Sequence, residues 1–148
     1  MSIEYKIGFA SQKQICKLLE ECDIYFIPKL SEKVNIEDYS LKIFHKAINL
    51  EAWESNDLVG LIAMYVSNEK AFITNVSVKK EYAKRGIALN LLGNCIEYIK
   101  DKNIAEIELE VNAKNIPALS LYTKFGFKVY EEKDSSLLMS LKLEVKNV

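Results

Sequence analysis

One segment constrains the fold more than any other. The run Ala71-Phe72-Ile73-Thr74-Asn75-Val76-Ser77-Val78 is β-branched and aromatic, which predicts a central strand. A short basic loop follows, Lys79-Lys80-Glu81-Tyr82-Ala83-Lys84-Arg85-Gly86, and then the hydrophobic period changes from two to 3.6. Ala88, Leu91, Leu92, Cys95, Ile96 and Ile99 recur on one face, predicting a helix from about Gly86 to Asp101. A further strand is expected from Ile104 to Val111. A helical crossover of this kind joins parallel strands. Small residues at Gly86 and Ala88 let a ligand approach the backbone closely. The unpaired first-turn amides and the positive helix end would cradle a pyrophosphate, with Lys84 and Arg85 adding charge. An ordinary strand-to-helix turn with solvated lysines has the same local appearance. An unrelated nucleotide-binding module ranks lower, because the loop has no Walker lysine and no full Gly-x-Gly-x-x-Gly.

The rest of the chain fits around that unit. Ile3 to Phe9 alternates like a half-buried strand. Ser11 and Gln14 have capping-box spacing ahead of a helix whose apolar face is Ile15, Leu18, Leu19 and Cys22. Tyr25 to Ser31 reads as irregular around Pro28, and a second helix starts from a cap at Asn35. Ala47–Glu54 and Leu58–Val66 form a strand pair across Ser55-Asn56-Asp57. A short helix over Pro117–Phe125 and a hairpin of Phe127–Glu132 with Ser136–Val145 complete the order βααβββαβαββ. The expected class is α/β, with a mixed, mostly antiparallel central sheet flanked by helices. The final hairpin offers a surface for a homodimer.

Composition mainly excludes. The 148 residues suit one domain, 1–148, and five Gly and two Pro argue against a long flexible linker. A net charge of -1 speaks against nucleic acid or an anionic membrane as partner. No apolar run approaches a membrane span, and Glu4 and Lys6 interrupt any signal-like start, so a cytoplasmic setting is expected. Cys16, Cys22 and Cys95 form no Cys-x-x-Cys pair, and with the lone His45 they are too few for zinc. No metal is expected. Glu20-Glu21 and Lys79-Lys80 read as solvated charges.

A second signature lies downstream: Asn115-x-x-Ala118-x-x-Leu121-Tyr122-x-x-x-Gly126-Phe127. Together with Val76-Ser77-Val78 and Arg85-Gly86-Ile87-Ala88, in this order, it resembles the GNAT superfamily of N-acetyltransferases. The residue-level resemblance covers about Ile73 to Phe127, while the element order agrees over nearly the whole chain.

That resemblance implies an acetyl-CoA-dependent transfer to a primary amine of a small molecule, amino sugar or peptide, in a ternary complex. The family's cofactor loop lands on Ala83, Lys84, Arg85, Gly86, Ile87 and Ala88, with Ala83 departing from the usual Gln or Arg. Val76 and Val78 would offer main-chain groups to pantetheine, and Asn115 would touch the cofactor, although a plain N-cap explains that residue equally well. Tyr122 matches the tyrosine that protonates the departing thiolate; a core tyrosine is the bland alternative. Glu110, near its strand's C-terminal end, matches a glutamate that serves as base in the ribosomal-protein alanine acetyltransferase branch. A water positioned by Asn75 or Thr74 would do the same work, and Glu106-Glu108-Glu110 also reads as solvated carboxylates. Tyr25, Phe26, Tyr39 and Trp53 are the candidate acceptor-pocket residues, together with Asn75. A non-catalytic acyl-CoA-binding domain on the same scaffold is the rival that Ala83 leaves open.

Overall fold

The two periodicities become seven strands and five α-helices among residues 2–145, which the computed structural model describes. β1 (Glu4–Ile7) leads into α1 (Gln12–Cys22), a 3-10 turn at Asp23–Tyr25, α2 (Leu30–Lys33) and α3 (Ile36–Lys46). β2 (Ile48–Glu54), β3 (Asp57–Val66) and β4 (Ala71–Val78) follow, then a 3-10 turn at Lys80–Tyr82 and α4 (Ile87–Asp101). β5 (Glu106–Asn112), α5 (Ile116–Lys124), β6 (Lys128–Lys133) and β7 (Ser136–Lys142) complete the order. The helix starts have local causes. Ser11 and Gln14 cap α1 reciprocally, and the Asn35 side chain accepts the Asp38 amide at the head of α3.

One mixed sheet runs β1-β2-β3-β4-β5-β7-β6. Its neighbours pair antiparallel except β4 and β5, which α4 connects as a crossover. β3 is buried on both faces: Leu61 and Ala63 face the α1–α3 layer, while Ile62 and Met64 join the core under α4. Leu91, Leu92, Cys95 and Ile99 make up most of the buried α4 face. Burying each such aliphatic side chain contributes about 2 kcal/mol. No helix among the described residues is long and apolar enough to cross a membrane.

Three expectations need correction. The stretch read as irregular, Tyr25 to Ser31, is so only over 26–29. Its ends belong to the 3-10 turn and to α2, which are stitched by Asp23, whose carboxylate accepts Ser31 N at 2.8 Å and Ser31 Oγ at 2.6 Å. Lys79 is buried, not solvated, and its ammonium meets Asp57 at 3.1 Å and Glu21 at 3.3 Å. Burial alone would lower its pKa, but these carboxylates outweigh that and raise it. β7 ends at Lys142 rather than Val145, while the Glu106 carboxylate caps its last turn of pairing through Ser140 and Lys142.

Candidate active site

The site arises where two parallel strands part. β4 and β5 pair only at Ala71–Ile107, Phe72–Glu108 and Ile73–Leu109. Beyond those positions β4 continues to Val78 against β3, and β5 continues to Asn112 against β7. A gap therefore opens between their C-terminal ends, the place where sheets of this type take ligands. β4 also carries a bulge. Asn75 opposes Ala63 and Ile73 opposes Met64, so Thr74 is the extra residue. Lys79 N donates to Val59 O on β3. By the alternation of an antiparallel ladder, Val78 and Val76 turn their N–H and C=O groups away from β3, toward the gap.

The head of α4 stands beside this opening. Gly86 adopts φ 78° and has no side chain to cap the helix, so the first-turn amides of Ile87, Ala88 and Leu89 lack a side-chain acceptor. A Cβ built on Gly86 would meet nothing within 4 Å, so the space above the turn is open. Lys84 also has positive φ, 62°, and both it and Arg85 are exposed. The Arg85 guanidinium lies 4.9 Å from the Tyr82 ring centroid, and the Tyr82 hydroxyl donates to Glu54. Ala83 closes the preceding 3-10 turn through its amide to Lys80 O. This donor set suits phosphates at the loop, and the free main chain of β4 suits an extended amide arm. The residues fit the CoA thioester that the sequence resemblance implies.

The gap itself is lined by Thr74, Asn75 and Val76 of β4, Glu110, Val111 and Asn112 of β5, and Asn115, Ala118 and Tyr122. Glu110 is exposed there, while Tyr122 is only 6% exposed and packs at 5.7 Å against the Phe127 ring. Burial holds the Tyr122 hydroxyl well above the ordinary phenol pKa, and it makes no hydrogen bond among the described residues. It is a neutral donor with its proton uncommitted. Asn115 caps α5 by accepting Ala118 N at 3.3 Å, and it also faces the gap. The sequence-level choice between cap and ligand contact was therefore not exclusive.

The aromatic candidates separate. Phe26 lines the gap. Tyr25 stands outside it, half-exposed, with Lys80 Nζ 5.2 Å from its ring. Trp53 is a correction: it is 5% exposed in the α1–α3 core, and its indole N–H donates to Glu51 Oε1 at 3.0 Å. The same buried carboxylate accepts Phe9 N and Ala10 N, so the group anchors the entry to α1. Tyr39 acts from below. Its hydroxyl lies 2.9 Å from Thr74 O and 2.8 Å from Thr74 Oγ1, pinning the bulge, and burial pushes its pKa up to about 12. The Asn75 amide oxygen accepts from Ser77 Oγ, which fixes the Asn75 side chain. Replacing Tyr39 with phenylalanine should cost about 1–2 kcal/mol, because the bulged carbonyl loses its donor. Chemical denaturation of Tyr39→Phe against the parent reads that loss directly.

Lys33, Val111, Asn112 and Ala118 also line the gap and were not singled out as site residues in the sequence. Asn112 and Ala118 sit within or beside the second signature, so that signal was present. Lys33 had none, since α2 is a single turn of four residues.

The sequence matches the Acetyltransferase (GNAT) family over residues 13–127. It is 30% identical over 120 residues to the spermidine N(1)-acetyltransferase of Thermoplasma acidophilum, covering 78% of this chain and 74% of that protein. A candidate ribosomal protein bS18-alanine N-acetyltransferase of Bacillus subtilis is 34% identical over 71 residues, where the match spans 48% of this chain and 47% of that relative. Among solved structures, PaiA N-acetyltransferase from Thermoplasma acidophilum in complex with coenzyme A superposes with TM-score 0.79 at 24% identity, covering 97% of this chain and 100% of that one. The Escherichia coli ribosomal-protein-S18-alanine N-acetyltransferase does so with TM-score 0.77 at 18% identity, covering 97% of each chain.

Proposed function

The chain belongs to the Acetyltransferase (GNAT) family, and from that membership we propose that residues 1–148 act as one domain moving an acetyl group from acetyl-CoA to a primary amine in a ternary complex. One observation carries this reading. The gap between β4 and β5 gathers free main-chain groups, a buried neutral phenol and a carboxylate, and the loop after β4 leads into the uncapped head of α4.

Bound acetyl-CoA supplies an activated acyl carbon and a thiolate leaving group. The amides of Ile87 and Ala88, with Lys84 and Arg85, hold negative charge at the loop. Val76 and Val78 hold an amide chain in the manner of an added strand, and the Val76 N–H meets charge developing on the acyl oxygen. Glu110, or a water resting on it, takes a proton from the acceptor's ammonium, and the neutral amine so formed attacks the acyl carbon. Tyr122 Oη–H donates its proton to the departing sulfur.

Calorimetric titration should show saturable acetyl-CoA binding, with ATP and NAD silent, and free thiol should appear when a suitable amine is added. No acetyl-CoA binding by the folded protein would overturn the proposal. Binding without turnover of any amine would leave an acyl-CoA-binding domain instead. Glu110→Gln should lower kcat/KM by about a hundredfold, within the range of a lost general base, with acetyl-CoA affinity retained.

A further inference from the structure

The walls of the gap differ in chemistry. On the side away from α4 they come from the segment between α1 and α3: Phe26, Ile27, Pro28, Leu30 and Lys33. Four of these five are apolar. The segment is well anchored, since Asp23 grips both the amide and the hydroxyl of Ser31. Ile27 of this wall is itself 46% exposed.

The ionic inventory of the gap is short. Its lining holds two charged residues, Glu110 and Lys33. Glu110 is the group assigned to the acceptor's own ammonium. Lys33 is exposed and makes no ion pair or hydrogen bond among the described residues. A polyamine bound here would bring further ammonium groups to a cleft with no second carboxylate and with a cation in its wall. An acceptor that carries a carboxylate would meet Lys33 instead.

We infer that the acceptor is a monoamine with an apolar group next to its nitrogen and a carboxylate that pairs with Lys33, rather than a polyamine. This rests on the acetyltransferase reading and adds to it a specificity-determining residue. The carboxylate belongs either to a free amino acid or to an acidic residue of a peptide, and the two are separable.

The test measures thiol release from acetyl-CoA with leucine, leucinamide, a Leu-Glu-led peptide, a Leu-Lys-led peptide of equal length, and spermidine. Changing attraction to repulsion at Lys33 should separate the two peptides by about tenfold in kcat/KM, the acidic one ahead. Lys33→Glu, checked for an unchanged melting transition, should reverse that order and raise turnover of spermidine. Leucine outrunning leucinamide assigns the carboxylate to a free amino acid, whereas preference confined to the acidic peptide assigns it to a peptide. Spermidine or the lysyl peptide matching the acidic acceptors overturns the inference. So does a peptide ratio that Lys33→Glu leaves unmoved, or the absence of turnover in every arm. A separate calorimetric titration with acetyl-CoA alone distinguishes these failures from failure of the acetyltransferase reading itself.

Discussion

Replacing Gly86 with valine is expected to weaken acetyl-CoA binding by about a hundredfold while the protein still folds. Two costs follow from different features of the same position. Gly86 sits at φ 78°, in the left-handed region, where a side chain costs roughly 1–2 kcal/mol. That strain lowers the melting temperature by several degrees in a domain of this size. The Cβ itself would strike no protein atom, since nothing lies within 4 Å of it. Its bulk instead enters the open space above the first-turn amides of α4. Displacing two charge-assisted hydrogen bonds there, at about 1.5 kcal/mol or more each, gives the hundredfold loss. Gly86→Ala keeps the strain with less bulk and should fall between. Calorimetry and thermal melting on all three proteins separate the effects. Normal acetyl-CoA affinity in a folded Gly86→Val protein would rule out the helix head as the phosphate cradle.

Tyr122→Phe should lower kcat by about a hundredfold or more, the usual contribution of a positioned proton donor, with KM little changed. The melting temperature should hold or rise. The hydroxyl belongs to a buried residue yet makes no hydrogen bond among the described residues, so its removal leaves no partner unpaired. A core tyrosine with no chemical role would give the same stability result and no loss of turnover, which is the outcome that refutes the assignment. The pH profile adds a second readout. Burial raises the Tyr122 pKa above the ordinary value of about 10, so the group stays protonated at neutral and mildly alkaline pH. Titration of Tyr122 therefore should not shape the rate profile below that range, and any alkaline fall there should persist in Tyr122→Phe.

Much of the site was legible because its signals are local. Gly86 and Ala88 at the head of a helix, and Asn115 seven residues ahead of Tyr122, are spacings along one chain. The capping box at Ser11 and Gln14 was readable for the same reason. Trp53 and Lys79 went astray because packing from other elements decides their burial. The Trp53 indole faces Glu51 inside the α1–α3 core, and Lys79 reaches Asp57 on β3 and Glu21 on α1. Composition invites an aromatic beside a turn to be read as exposed, and a Lys-Lys pair as solvated; only packing decides otherwise.

By itself the sequence determined the succession of strands, the capped starts of α1 and α3 and the candidate cofactor loop. Hydrophobic period, capping side chains and small residues act over a few positions and need no tertiary context. The tertiary structure alone decided where β4 and β5 stop pairing, that Thr74 bulges under the Tyr39 hydroxyl, and that Lys33 shares a cleft with Glu110. Those features depend on how neighbouring strands and the α1–α3 layer pull on the two parallel strands. Residues 33 and 110 are brought together by contacts that no window along the chain contains.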